Sequence, residues 1–127
     1  SGADGEIHGR QTVPELHMTV FSRQKDQEIP KNQYTKWFDY DKIKGTLSVR
    51  TRRRGDYLIL PSGGSKTIAR YMIDEKIPSE YRDSIPLIAC GKEILWMVGS
   101  RINERYKINP KTRKVLVLNY QGGNENE

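Results

Sequence analysis

Pro86-Leu87-Ile88-Ala89-Cys90-Gly91-Lys92-Glu93-Ile94-Leu95-Trp96-Met97-Val98 is the stretch that decides the fold. Two short apolar runs flank Gly91-Lys92. Runs of this length, punctuated by Pro and Gly, suit buried strands better than a helix. A Gly-containing two-residue turn closes such runs into an antiparallel hairpin. Period-2 alternation predicts one face of the second strand carrying Ile94, Trp96 and Val98, with Trp96 largely buried. Gly99 ends that strand.

Outward from this hairpin, the chain keeps the same grain. Lys114 to Tyr120 alternates Val115, Val117 and Asn119 with Leu116, Leu118 and Tyr120, which predicts a strand buried on both faces. Tyr106 to Ile108 predicts a further strand. Thr46 to Arg52 puts Leu47 and Val49 on one face and Ser48, Arg50 and Arg52 on the other, a half-buried strand. Thr35 to Ile43 carries Trp37, Phe38, Tyr40 and Ile43 and predicts a strand broken by Asp39 and Asp41. With the Lys44-Gly45 turn, these last two predict a hairpin. Glu15 to Phe21 predicts another strand, and Leu58-Ile59-Leu60 a short apolar run. Thr67 to Lys76 predicts the one good helix, with Ile68 and Met72 four apart, Ser65 or Thr67 as cap, and Pro78 beyond its end. Ser79 to Ser84 reads as a polar turn. The sum is a mostly β domain of short strands, sandwich-like, with one main helix packed on it.

The chain has 127 residues, enough for one domain with a true core. Hydrophobic residues make up 35%, below the usual share of roughly 45%. Two Trp, seven Tyr and two Phe argue against wholesale disorder. No apolar run approaches the roughly 18 residues of a membrane helix, and no basic-then-apolar leader opens the chain, so neither a membrane partner nor secretion is expected. One Cys excludes a disulfide framework. The opening Ser1-Gly2-Ala3 without Met reads as a scar ahead of a piece of a longer protein. Residues 1–34 read as a lead-in holding one strand, 35–120 as the domain, and 121–127 as a disordered tail.

Charge is uneven. Residues 1–30 carry three Lys/Arg and five Asp/Glu, residues 31–120 carry nineteen and nine, and the last seven carry none and two. A folded middle at +10 between two flanks at −2 suits an anionic partner, nucleic acid foremost. Arg50-Thr51-Arg52-Arg53-Arg54 is the densest cluster. The planar fork of Arg binds two phosphate oxygens at once. Arg can equally protect a sheet edge, and both readings stand. Pro61-Ser62-Gly63-Gly64-Ser65-Lys66-Thr67 follows an apolar run and opens the predicted helix, where free amides and Lys66 with Arg70 suit a backbone phosphate. It is not a Walker A loop, because Ser65 precedes the Lys where that motif has Gly. A flexible loop beside a solvated helix face is the rival reading.

Catalytic chemistry finds little support. His8, His17 and Cys90 have no metal-ligand spacing, and Cys90 reads as a buried, inert thiol. Asp39 and Asp41 would share a strand face and keep an acid–base or metal site conceivable, against the commoner reading of solvated charges.

Taken in order, several segments resemble the C-terminal domain of bacterial tRNA(Ile)-lysidine synthetase. They are Trp37 to Ile43, Leu47 to Asp56, Gly64-Ser65-Lys66, Ile73 to Pro78, Arg82 to Leu87 and Ile94 to Ile102. The likeness covers roughly residues 37–120. It implies a tRNA-binding module without its own catalytic site, engaging the acceptor-stem side of tRNA(Ile). An absent N-terminal domain would attach lysine to the wobble cytidine with ATP and magnesium, in the cytoplasm. It also implies a β-sandwich of the kind shared with the phenylalanyl-tRNA synthetase β chain. The RNA-facing residues it implies here are Arg50, Arg52, Arg53 and Arg54, then Gly64, Ser65, Lys66 and Arg70, then Lys76, Arg82 and Arg101. Tyr57, Thr67 and Ala69 depart from the basic residues frequent in the family, which would shift weight to Lys66 and Arg70. No cofactor is expected in this domain itself. The competing class is a protein-interaction or homodimerisation domain without RNA contact, and the third is an enzyme using Asp39 and Asp41.

Overall fold

The computed structural model describes residues 5–7 and 16–121. His8 and most of the predicted tail lie outside them. Nine strands form two sheets among the described residues: β1 (Gly5–Ile7), β2 (Leu16–Ser22), β3 (Thr35–Asp39), β4 (Leu47–Arg50), β5 (Tyr57–Ile59), β6 (Ser65–Thr67), β7 (Leu87–Cys90), β8 (Glu93–Met97) and β9 (Lys114–Tyr120). The larger sheet runs β1-β4-β7-β8-β5-β6, antiparallel except where β5 meets β8 at Tyr57 and Glu93. The smaller runs β2-β9-β3, antiparallel throughout. No helix among the described residues is long and apolar enough to cross a membrane.

Two cores sit on either side of the larger sheet. Leu16, Phe38, Leu116 and Leu118 of the smaller sheet pack on Leu47, Ile88, Leu95 and Trp96 of the larger, making the expected sandwich. On the far face, Leu58, Leu87, Ala89, Ile94 and Met97 receive Ile68, Tyr71 and Met72 of α1 (Ile68–Asp74), the one α-helix among the described residues. Apolar burial on both faces of β7 and β8 is the reason these strands read as near-continuous hydrophobic runs.

The predicted hairpin of residues 86–98 is present, with one departure. Ile88 pairs with Trp96, but Ala89 pairs with Ile94, so Leu95 is the extra residue of a β-bulge. The bulge breaks the alternation. Leu95 and Trp96 both enter the inter-sheet core while Ile94 and Met97 face the helix. Trp96 is fully buried as predicted, yet Ile94 is not its face-mate.

Other expectations need correction. Residues 35–43 and 46–52 do not form a hairpin: β3 pairs with β9 and β4 with β1 and β7, in different sheets. The chain changes sheets at a 3-10 turn, Tyr40–Lys42, where Asp39 Oδ1 accepts from Asp41 N. Tyr106 to Ile108 is not a strand. Glu104–Tyr106 form a 3-10 turn capped by buried Asn103, whose Oδ1 accepts from Arg105 N and whose Nδ2 donates to Ile94 O. The helix ends at Asp74, two residues short of Lys76, which sits at φ 59°. Thr67 is its cap, Oγ1 accepting from Arg70 N, while Ser65 lies in β6. Cys90 is half-buried, with Sγ close against Gly45.

Candidate nucleic-acid interface

The arginine cluster divides into one buried anchor and an exposed turn. Arg50 is not on a solvent face, as alternation predicted. It is 5% exposed, and its NH1 and NH2 donate to Asp56 Oδ2 and Oδ1 at 2.8 and 2.9 Å. NH2 also donates to Gly91 O. Asp56 Oδ2 accepts from Arg53 N as well. One buried ion pair therefore ties the end of β4 to the turn through Asp56 and to the β7–β8 connection through Arg50, by charge-assisted bonds of the strong class. The physical reason for the misreading is this partner, six residues on, which lets a cation face inward.

What the anchor holds is the turn Thr51 to Gly55. Arg53 and Arg54 are exposed. Arg52 Nε donates to Asp83 at 2.8 Å, but Asp83 is largely solvent-facing, so the pair is weak. Gly55 takes φ 91°, and Lys92 Nζ lies so near that a Cβ there would come within 2.9 Å. The positive φ is what calls for glycine, since the Lys92 ammonium ends a flexible side chain that can swing aside. Arg52, Arg53, Arg54, Thr67 and Ala69 line one cleft of about 390 Å³, which brings the turn beside the start of α1.

The glycine-rich loop is a hairpin, not a helix start. Gly63 takes φ 95° and its N donates to Leu60 O, and β5 pairs with β6 from Tyr57–Thr67 to Ile59–Ser65. Gly64 and Ser65 are exposed on it. The helix amides are partly used: Ile68 N donates to Asp56 O and Arg70 N to Thr67 Oγ1. Lys66 and Arg70 do converge, but on Asp74, at 2.6 and 3.4 Å. Lys66 donating to Asp74 holds that carboxyl below its ordinary range.

The remaining predicted residues scatter. Lys76 is exposed beyond α1. Arg82 Nε donates to Ile77 O, bracing the segment after the helix. Arg101 lines a different cleft, of about 560 Å³, with Lys31, Lys36, Trp37 and Lys107. Burial lowers the Lys36 ammonium from its ordinary value, and Lys107 lowers it further. Of the two carboxylates considered for catalysis, Asp39 is used in the fold, its Oδ1 capping the 3-10 turn and its Oδ2 accepting from Thr112 Oγ1 at 3.0 Å, while Asp41 is exposed in that turn and not on the strand face of Asp39. Among the described residues, no three His, Cys, Asp or Glu side chains are grouped to hold a metal ion.

Beside this geometry, comparison with known proteins is decisive. Residues 47–119 match the family model described as the TilS substrate C-terminal domain. The chain belongs to this family. It is 52% identical over 94 residues to a tRNA(Ile)-lysidine synthase of Caldanaerobacter subterraneus, and 45% identical over 98 residues to one of Clostridium tetani. Those stretches cover 73% and 76% of this chain but 20% and 21% of the relatives, so it spans about a fifth of their length. A crystal structure of a TilS C-terminal domain superposes with a TM-score of 0.65 at 27% identity, covering 84% of each chain. The two-sheet architecture with one helix is the fold of that TilS domain.

Sequence reasoning missed two groups in this TilS domain. Lys92 joins the arginine turn from the β7–β8 connection. Lys31, Lys36 and Lys107 join Arg101 around Trp37. Only the alternation of β3 hinted at the second, since it sets Lys36 on the core side of Trp37.

Proposed function

We propose that this domain binds tRNA(Ile) on its acceptor-stem side and orients it for a separate N-terminal domain. That domain would attach lysine to the wobble cytidine in the cytoplasm, using ATP and magnesium bound there. The observation that carries the reading is the turn Arg52-Arg53-Arg54-Gly55, presented by the buried Arg50–Asp56 pair beside Lys92. A preorganised turn costs less ordering on binding than a mobile one. Arginine side chains around an open cleft suit a phosphate backbone, which supplies most of the affinity for RNA stems.

A tRNA titration of the 127-residue chain at two salt concentrations tests the reading. Affinity that falls steeply with salt supports it. Homodimerisation through apolar surface, the rival, predicts self-association that salt leaves unchanged and no tRNA binding.

A further inference from the structure

The cleft around Trp37 opens at the rim of the sandwich. β3 is an edge strand of the smaller sheet. Lys36 stands in register with Leu118, on the same side as Phe38 two residues on, so its stem runs along the core edge before its ammonium emerges. Trp37, on the opposite side of this edge strand, also borders the cleft; it meets Phe21 edge-on, with centroids 5.1 Å apart, and the Arg23 guanidinium 5.9 Å from the ring. Gln33 Nε2 donates to Gly99 O, pinning the loop before β3 to the exit of β8. The walls are therefore built, not loose.

The lining divides by chemistry. Pro30, Trp37, Ile102 and Ile108 supply flat and aliphatic surface, and Lys31, Lys36, Arg101 and Lys107 supply cations. Among the described residues no carboxylate lines it; Glu104 Oε1 reaches Lys107 Nζ at 3.1 Å from outside, in an exposed pair. At about 560 Å³ it has the size of a small-molecule site.

We infer that this cleft receives an unpaired RNA nucleotide, its base against Trp37 and the apolar wall and its phosphate among Lys36, Arg101 and Lys107. The inference rests on the RNA-binding reading above and adds a second, single-strand site to it. A base inside a duplex has both faces covered by its neighbours and cannot meet the indole. An acidic peptide would satisfy the cations but leave the planar wall unfilled. Aromatic surface beside cations is the arrangement that binds single strands with little sequence preference. An anion would also relieve the repulsion that Lys107 exerts on the desolvated Lys36.

The test is a titration of the isotope-labelled 127-residue chain with a single-stranded RNA tetranucleotide and, separately, a blunt-ended RNA hairpin. The Trp37 indole signal should move and saturate with the tetranucleotide. Trp96, whose indole is buried and donates to Ser100 O, should stay still and report an intact fold. Lys36→Ala with Lys107→Ala should weaken tetranucleotide binding by about tenfold, since two cations no longer meet the phosphate, and leave hairpin binding within about twofold. If that variant disturbs the Trp96 signal, Lys36→Gln alone carries the same expectation in a smaller degree. An unmoved Trp37 signal, wild-type affinity in the folded variant, or equal binding of a poly-Glu peptide overturns the site. Loss of hairpin and tRNA binding with the Trp37 response retained overturns only the acceptor-stem reading.

Discussion

Arg50 and Asp56 meet fork to fork, at 2.8 and 2.9 Å, with both side chains almost wholly removed from water. The pair sits beneath the turn whose exposed arginines form the candidate interface. Removing one partner leaves an uncompensated buried charge, which costs about 3–5 kcal/mol. Arg50→Ala should therefore lower stability by that order in urea denaturation, with RNA affinity falling because the turn is no longer held. A stable Arg50→Ala protein with normal RNA affinity would show that the pair presents nothing.

The other arginines of the turn should behave in the opposite way. Arg52→Ala with Arg54→Ala should leave the unfolding midpoint nearly unchanged, because the ion pair it removes is with solvent-facing Asp83. Affinity should drop for all stems alike, and the salt slope should shrink by about one for each phosphate that is no longer neutralised. An unchanged slope in the folded variant would remove this turn from the interface.

The contrast between Arg50 and its neighbours marks how far the sequence could be read. Element positions were legible where a period or a punctuating residue governs: β9 runs over Lys114–Tyr120 as expected, and β7 and β8 flank Gly91-Lys92. Facing was legible only while the period lasted. The bulge at Leu95 leaves no compositional trace, and it moved Ile94 to the helix side. Pairing was not legible for β3 and β4, because a 3-10 turn capped by Asp39 can send the chain to another sheet as readily as a turn can close a hairpin. At the site, local charge density located the arginine turn, but Lys92, and Lys31, Lys36 and Lys107 around Trp37, are gathered by tertiary structure from separate segments.

Trp96 makes the sharpest test of the core. It is fully buried, tilted against Phe38 with centroids 6.2 Å apart, on the bulged strand that separates the two cores. Trp96→Ala should cost about 3–5 kcal/mol. Trp37→Ala should cost far less, since Trp37 is only half-buried. Equal losses from the two, measured by denaturant unfolding, would contradict the sandwich core.

Asp74 neutralises two cations that the resemblance assigns to RNA. Lys66 and Arg70 both reach its carboxylate, and the pairs are exposed enough to matter little for stability. Asp74→Asn should thus tighten RNA binding at low salt by releasing both, while the thermal midpoint stays close to wild type. Filter binding of a tRNA stem reads this directly. Unchanged affinity would place Lys66 and Arg70 outside the RNA interface.

Alkaline pH should find one weak point, Tyr106. Its phenol is 4% exposed in the inter-sheet core, and its pKa is pushed up from 10.0 to about 12, first by burial and then by the Glu93 carboxylate. The folded state therefore favours the neutral phenol. Below pH 10 the side chain is neutral folded or unfolded, and its contribution to stability is complete. Between pH 10 and 12 the unfolded chain gives up this proton while the folded one keeps it. Stability then falls as pH rises, by at most about 1.4 kcal/mol per unit for this group. Six other tyrosines and the lysines titrate in the same range, so the wild-type curve alone does not isolate the effect. Tyr106→Phe does, because it keeps the ring in the core and removes the titrating proton. The difference in urea-unfolding free energy between wild type and Tyr106→Phe should be constant from pH 7 to about pH 9.5, then shift in favour of Phe between pH 10 and 12. A difference that stays flat across that window would mean the phenol is not held neutral by the core.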